Sequence, residues 1–309
     1  MKIVFMGTPD FAAHSLECIT NNHSILSVIT QPDKPKGRGQ KMQFTPVKQV
    51  AIDNDIEVMQ PINIKNQLEF IEHIKSLSPD IIVVVAYGQI LSKEILEIPR
   101  YGCINVHASL LPSLRGAAPI NWAIINGDKT TGVTIMQMDE GLDTGDMILK
   151  SEILISEEET AGNLHDRLMK LGGSLLVEAL EKIEKGAISP KVQDNSKSSY
   201  AHMMKKELGH INWSNDAREI YNLIRGVIPW PGAYTYYEGN MIKIWNASFV
   251  NEVCNKEPGE IIKISKEGIL VNAKNGAILI REIQKMGGKR LDIASFLNGN
   301  KLALGEIFK

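Results

Sequence analysis

Residues 81–86 read I-I-V-V-V-A, and this run decides the predicted fold. Consecutive apolar, mostly β-branched residues are typical of a central parallel strand that is covered on both faces. Tyr87 and Gly88 end the run, and residues 103–107 (C-I-N-V-H) form the next strand. A segment with helical periodicity, 65–77, precedes the run. Strands that alternate with helices predict an α/β fold with an open, mostly parallel, Rossmann-like sheet.

The chain begins in a way that fits the same sheet. Residues 3–6 (I-V-F-M) predict a buried strand that stops at Gly7, and Thr8 and Pro9 predict the start of a helix that reaches about residue 20. A strand, a turn and a helix in this order suggest dinucleotide binding. The segment G-T-P-D-F excludes it, because it supplies one glycine where the pyrophosphate fingerprint needs three.

The last third of the chain has a different pattern. A helix over 215–226 is followed by short predicted strands, which are separated by turns such as Glu-Gly, Pro-Gly and Asn-Gly; the strands are 233–237, 241–249, 260–265, 268–273 and 277–284. This spacing predicts a smaller β-barrel, similar to an oligonucleotide-binding barrel. We therefore predict a first domain over 1–188, a linker over 189–206 and a barrel domain over 207–309.

The composition is that of an ordinary globular protein, with 43% hydrophobic and 23% charged residues. Residues 1–185 contain 17 basic and 24 acidic residues, and 186–309 contain 17 and 12, so the second part is modestly basic and suits a polyanionic partner. No apolar run approaches the roughly 20 residues of a membrane span, and no signal peptide is expected. Three scattered cysteines, Cys18, Cys103 and Cys254, indicate a reducing compartment. We expect a cytoplasmic protein.

Candidate catalytic residues lie in the stretch that continues the strand at 103–107. Residues 104–120 read I-N-V-H-A-S-L-L-P-S-L-R-G-A-A-P-I, and 138–146 read M-D-E-G-L-D-T-G-D. Asn105 and His107 are two residues apart, so a strand places them on the same side of the sheet. Asp143 lies between two glycines in a turn. An amide, an imidazole and a carboxylate can together transfer protons and stabilise an oxyanion.

Each of these residues also has an ordinary structural explanation. A lone histidine in a strand is usually structural, and an aspartate in a glycine-rich turn is by default a turn former. A Ser-His-Asp hydrolase is set aside, because no G-x-S-x-G segment surrounds Ser109. The histidines show no H-E-x-x-H or other metal-binding spacing, so we expect no metal.

The segment N-V-H-A-S-L-L-P, with G-L-D-T-G-D downstream, resembles the folate-dependent formyltransferases. Flanking segments resemble the methionyl-tRNA formyltransferases within them, namely M-G-T-P-D-F-A, V-V-V-A-Y-G, G-V-T-I-M-Q-M-D, I-N-W-S and P-W-P-G. The resemblance implies transfer of a formyl group from 10-formyltetrahydrofolate to the α-amine of methionine on initiator tRNA. It implies that Asn105 and a charged His107 donate to the oxyanion, while Asp143 stabilises the charged imidazole and relays protons.

The resemblance also implies where the two substrates bind. Ser109, Leu110, Leu111 and Pro112 would line the folate pocket. The loop over 31–46 would enter the acceptor stem of the tRNA, although a basic loop of this kind is otherwise read as a solvated connection. The predicted tRNA-binding residues are Lys36, Arg38 and Lys41 of this loop, together with Lys205, Lys206, Lys289 and Arg290.

The expected partners are therefore initiator methionyl-tRNA and the folate, with no membrane partner, and the chain is expected to act as a monomer. Two other function classes stay open. One is a folate-dependent formyltransferase that acts on a nucleotide-linked amine. The other is an RNA-binding protein that kept an inactive transferase fold.

Overall fold

The computed structural model describes residues 1–36, 41–65 and 67–309. In its first part the strands are β1 (Lys2–Gly7), β2 (Ser24–Ile29), β3 (Lys34–Lys36), β4 (Lys41–Gln43), β5 (Val58–Met59), β6 (Ile81–Val85), β7 (Cys103–His107), β8 (Arg115–Gly116), β9 (Thr130–Gln137) and β10 (Met147–Leu154). The helices are α1 (Asp10–Thr20), α2 (Pro46–Asp53), α3 (Leu68–Leu77), α4 (Lys93–Leu96), α5 (Pro119–Ile125) and α6 (Ala161–Glu184).

The described residues form a seven-stranded sheet in the order β10-β9-β7-β6-β1-β2-β5. β6 pairs in parallel with β1 and with β7, and β1 pairs in parallel with β2, whereas β9 runs antiparallel to β7. All five residues of β6 are buried. The prediction of a mostly parallel sheet with a covered central strand is confirmed, and it follows from the β-branched run at 81–85.

The topology places a crevice at the carboxyl ends of β1 and β6. From β1 the chain adds β2 and β5 on one side and β6 and β7 on the other, and ligands of open α/β sheets bind where the order reverses in this way. Gly7, at the end of β1, lets α1 and the end of β6 lie close to the backbone of β1. A Cβ atom there would lie 2.6 Å from the Cβ of Ala12 and 2.9 Å from the carbonyl oxygen of Val85.

The basic loop over 31–46 is more regular than the sequence predicts. β3 and β4 pair as an antiparallel hairpin, with Pro35 opposite Met42. Three prolines and two glycines between residues 31 and 46 predict a segment without regular structure. A two-stranded hairpin tolerates Pro35 because both of its strands are edges, where a missing N–H donor is not needed by a further strand.

The second part of the chain contains β11 (Tyr200–Ala201), β12 (Ala233–Tyr237), β13 (Asn240–Val250), β14 (Ile261–Ser265), β15 (Gly268–Ala273), β16 (Gly276–Lys285) and β17 (Leu291–Asp292), with helices α7 (Ala217–Gly226) and α8 (Ile293–Leu297). β12-β13-β16-β15-β14 form an antiparallel sheet in that order, and β17 pairs with β16. The predicted series of short strands in the last third of the chain, after a first part with a mostly parallel sheet, is confirmed. The predicted linker also contains regular structure, since β11 and a 3₁₀ helix over Asn195–Lys197 lie within it and a second 3₁₀ helix, Lys206–Gly209, begins at its last residue.

The described residues group into two compact units, and both units are discontinuous in sequence. The first contains Met1–Gly116, Thr131–Ile153 and His165–Ala201, and the second contains Ala117–Thr130, Leu154–Leu164 and His202–Lys309. The predicted domain boundaries stay a prediction. Among the helices that the structure describes, none combines the length and the apolar character needed to cross a membrane.

Candidate active site

The end of β7 presents Asn105 and His107 to the same side of the sheet. His107 is 6% exposed, and Asn105 is partly exposed. β7 lies between β6 and β9, so its backbone is fixed from both sides. Because the backbone is fixed, the sheet determines the direction in which both side chains point.

One nitrogen of the His107 ring is fixed by a backbone carbonyl. Nε2 lies 2.9 Å from the carbonyl oxygen of Leu114. A carbonyl oxygen can only accept a hydrogen bond, so Nε2 must carry the proton and donate it. The other nitrogen, Nδ1, is therefore the one available for proton exchange. It faces Asp143, with Nδ1 3.7 Å from Oδ2 of the carboxylate.

The Asp143 carboxylate lies between the other groups of the site. Its Oδ1 accepts a hydrogen bond of 3.4 Å from the Asn105 amide, and its Oδ2 accepts one of 2.8 Å from the backbone N–H of Gly116. The side chain is 11% exposed. The structure therefore brings together the three residues that the sequence predicts as catalytic, although Asp143 is 36 residues beyond His107 along the chain.

Burial raises the pKa of two titratable groups on or directly after the strands β6 and β7. Burial raises the pKa of the Cys103 thiol, at the start of β7, to about 12. Burial likewise raises the pKa of the Tyr87 hydroxyl, just after β6. A thiol with such a pKa is a poor nucleophile at neutral pH. Neither group is therefore expected to ionise at neutral pH.

The segment over 109–112 is bound firmly to the sheet. The hydroxyl of Thr134 donates to the carbonyl oxygen of Ser109 at 2.7 Å and accepts from the N–H of Leu111 at 3.1 Å. Ser109 and Leu111 are buried, whereas Leu110 and Pro112 keep some exposed surface. Of the four residues predicted to line a folate pocket, only Leu110 and Pro112 thus have surface to offer a ligand.

The sequence reading missed several groups that shape the site. Leu114 and Gly116 act through their backbone atoms, and Thr134 holds the 109–112 segment from β9. Backbone contacts leave no signature in residue type, and nothing in the sequence connects Thr134 with a segment about 25 residues earlier. Only the quoted stretch S-L-R-G, directly after S-L-L-P, hinted that 113–116 belongs to the site.

The predicted tRNA-binding residues fall in three places. Lys36 and Lys41 are opposite each other in the β3–β4 hairpin, and Arg38 lies outside the described residues. Lys205 and Lys206 are exposed and adjacent at the start of a 3₁₀ helix. The remaining pair, Lys289 and Arg290, is exposed beside β17.

Ion pairs change the net charge near two of these groups of residues. The Asp33 carboxylate, before β3, accepts hydrogen bonds of 2.5 Å from Lys48 and 2.8 Å from Gln60, so this acid is bound at the base of the basic loop. Arg290 forms an ion pair with Glu282, which offsets its charge.

No cluster of three or more His, Cys, Asp or Glu side chains suited to a metal ion occurs within 1–36, 41–65 and 67–309.

Comparison with known proteins identifies the family. Residues 1–180 match the family described as formyl transferase, and residues 203–301 match the formyl transferase C-terminal domain. The chain belongs to the formyl transferase family. The resemblance predicted from the N-V-H-A-S-L-L-P segment is thereby confirmed.

Curated relatives in this family match over the whole chain. A methionyl-tRNA formyltransferase of Clostridioides difficile is 55% identical over 99% of both chains, and one of Clostridium novyi is 52% identical over 100% of both. A solved N-formyltransferase of Helicobacter canadensis, in complex with folinic acid and dTDP-3-aminofucose, is 23% identical with a TM-score of 0.70. It covers 92% of this chain and 99% of its own. This structural similarity supports the fold alone.

Proposed function

We propose that this formyl transferase moves the formyl group of 10-formyltetrahydrofolate to the α-amine of methionine on initiator tRNA, which gives N-formylmethionyl-tRNA for translation initiation. Full-length relatives at 50–55% identity carry the name of this activity. The main structural support for this chemistry is that Asn105, His107 and Asp143 lie together. The Asp143 carboxylate is 3.4 Å from Nδ2 of Asn105 and 3.7 Å from Nδ1 of His107.

The residues around the site fit a folate co-substrate, which supplies the formyl group. Ligand pockets combine apolar surface with a few convergent polar groups. Leu142, next to Asp143, and Ile90, shortly after β6, are large apolar side chains that are exposed to solvent. Together with Leu110 and Pro112 they would contact the ring system. Ser109 and Leu111, which are buried, would hold the shape of the segment.

Asn105 and His107 would stabilise the negative charge that develops on the formyl oxygen during attack. The Asn105 amide has two N–H donors, and its bond of 3.4 Å to Asp143 is long. A charged His107 offers a second donor at Nδ1, because Nε2 is bound to Leu114. A well-placed donor of this kind lowers the barrier by about 3–4 kcal/mol.

Asp143 would receive the proton that leaves the attacking amine. The amine must lose a proton as its bond to the formyl carbon forms, and the folate nitrogen must gain one as its bond to that carbon breaks. The Asp143 carboxylate, which faces Nδ1 of His107, would stabilise the imidazolium that gives its Nδ1 proton to the folate nitrogen. It would take the proton that leaves the amine and pass it to Nδ1, so that both residues return to their starting protonation states.

For the tRNA we keep the predicted set as part of this proposal: Lys36, Arg38, Lys41, Lys205, Lys206, Lys289 and Arg290. These cations suit the phosphate backbone of a nucleic acid. The reaction would take place in the cytoplasm, where charged tRNA serves translation, and we expect the chain to work as a monomer. We likewise keep the domain boundaries 1–188 and 207–309, with a linker over 189–206.

The acceptor is argued from the relatives. The N-formyltransferase of Helicobacter canadensis, which has the same fold, was solved in complex with dTDP-3-aminofucose, so a nucleotide-linked amine is the second candidate. Its 23% identity stands against 50–55% over the full length for the tRNA enzymes. We therefore place tRNA first. An inactive RNA-binding protein is disfavoured by the intact set of amide, imidazole and carboxylate.

The first prediction concerns the acceptor. With 10-formyltetrahydrofolate, we expect the protein to formylate charged initiator methionyl-tRNA at least about 100-fold more efficiently, in kcat/KM, than charged elongator methionyl-tRNA, because several lost contacts of about 1–3 kcal/mol each give such a ratio. A nucleotide-linked amino sugar should react more slowly still. Quenched-flow assays with all three acceptors measure this. Preference for the amino sugar would overturn the proposal.

The second prediction concerns the three site residues. Asn105→Ala, His107→Ala and Asp143→Ala should each lower the single-turnover rate at least about 100-fold while leaving the thermal transition cooperative, because each removes a group that acts in the transition state. His73→Ala is the matched control, since the His73 imidazole pairs with the exposed carboxylate of Glu57 and not with a residue of the site. A near-normal rate in any of the three variants removes that residue from the mechanism.

The third prediction concerns the basic loop. Arg38→Ala should raise the KM for initiator tRNA by about 5- to 150-fold and reduce the salt dependence of binding by about one ion. Arg38→Lys should also raise the KM but leave the salt dependence unchanged, because lysine keeps the charge and cannot replace the bidentate fork of arginine. Affinity for a folate analogue should not change. Lys93→Ala, an exposed cation of α4, is the control. Wild-type KM in both Arg38 variants would show that the loop is only a solvated connection.

A further inference from the structure

Gln193 is buried in a stretch that neither family match covers. The matches end at residue 180 and resume at 203, and Gln193, between them, is 5% exposed. Its Nε2 donates to the carbonyl oxygens of Asp143 at 2.9 Å and Gly145 at 2.7 Å. Its Oε1 accepts from Arg115, at 3.1 Å from Nε and 2.8 Å from Nη2. The amide thus uses both of its donors and both of its lone pairs.

The orientation of this amide is determined by its neighbours. Turning it over would place N–H groups against the Arg115 guanidinium and an oxygen against two carbonyl oxygens. Arg115 is itself 2% exposed, and its Nη2 also donates to Oδ1 of Asn195 at 2.8 Å. A buried network in which every partner is matched holds its members in one arrangement.

The same stretch also holds the segment that contacts His107. The N–H of Leu114 donates to the hydroxyl of Ser199, and the N–H of Arg115 donates to the carbonyl oxygen of Ser199, both at 2.9 Å. β11 pairs in parallel with β8, with Tyr200 opposite Arg115. Residues 193–201 therefore bind both the 114–116 segment and the turn that carries Asp143.

Both of these segments have a backbone conformation that needs support. Leu114 has a φ of 59° and Asp143 a φ of 54°, in the left-handed region that L-residues disfavour. Such conformations persist at functional sites only where the surrounding contacts determine them. The carbonyl of Leu114 accepts from His107, so its left-handed turn directs the imidazole as well.

We propose that Gln193, held by Arg115, is a positioning residue for formyl transfer. It fixes the backbone over Asp143–Gly145, and thereby the direction of the Asp143 carboxylate toward His107 and Asn105. Gln193, in the stretch between the two family matches, then acts on the site through the backbone that it fixes. The statement about catalysis rests on the proposed function, whereas the fixing of the turn does not.

Gln193→Glu tests the proposal with the least change in shape. Glutamate keeps the acceptor for Arg115 but points an oxygen at the two carbonyl oxygens, so the turn must move. We expect kcat to fall about 10- to 100-fold, since a displacement of about 1 Å can cost that much, while KM for tRNA and folate stays within about 2-fold. Val192→Ala, next to it and 80% exposed, is the control and should behave as wild type.

A double-mutant cycle separates positioning from a loss of folded protein. If Gln193 acts through the Asp143 carboxylate, Gln193→Glu should cost almost nothing further in an Asp143→Ala background. A merely structural role would lower the rate by the same factor in both backgrounds and would overturn the proposal. Should Gln193→Glu lose its cooperative thermal transition, Arg115→Lys replaces it, with a smaller loss of kcat and the same lack of additivity expected.

A second readout does not depend on any reaction. The N–H of Gly116 donates to Oδ2 of Asp143, so its hydrogen exchange reports whether the carboxylate is in place. Gln193→Glu should speed this exchange as much as Asp143→Ala does, and Val192→Ala should not. Unchanged protection in Gln193→Glu would overturn the proposal. Absence of formylation by the wild-type protein, with the expected exchange, would instead overturn the proposed function alone.

Discussion

The site depends on one carboxylate that is held in place by groups from separate parts of the chain. The Asp143 carboxylate accepts hydrogen bonds from the backbone N–H of Gly116 and from the Asn105 amide, and it faces His107. The backbone of Asp143 itself is in the left-handed region. None of these contacts is local in sequence. The arrangement of the site therefore depends on the sheet, because the pairing of β7 with β6 and β9 fixes the strand end that the turn contacts.

The two nitrogens of the His107 ring have different partners in this arrangement. Nε2 is committed to the carbonyl oxygen of Leu114, so the ring cannot rotate to offer that nitrogen to a substrate. Nδ1 faces the carboxylate and is the only ring nitrogen left for proton exchange. In the proposed mechanism, proton transfer would therefore take place between the carboxylate and Nδ1. The Asn105 amide, hydrogen-bonded to the same carboxylate, would be a further donor for the oxyanion.

The sequence predicts the sheet and the paired side chains well, because both follow from periodicity. The run at 81–85 indicates a covered parallel strand, and the two-residue spacing of Asn105 and His107 places them on one face. Asp143 is a candidate because it lies between two glycines in a turn, but a turn has no period, and only the family resemblance distinguishes it from an ordinary turn former. Gln193 was missed because its neighbours are Gly, Pro, Ser, Asn and Lys, a composition typical of a linker, and its partners include backbone carbonyls. The roles of the predicted tRNA-binding residues stay predictions.

The protonation of the His107 ring is the most direct test of this account. A two-bond ¹H–¹⁵N correlation spectrum of protein labelled at histidine, with His107 assigned through His107→Gln, distinguishes the two nitrogens. We predict that Nε2 is protonated, and that Asp143→Ala changes the Nδ1 signal while Nε2 keeps its proton. A ring with a bare Nε2, or an Nδ1 signal that does not respond to the loss of Asp143, would contradict the arrangement of carboxylate and imidazole on which the mechanism depends.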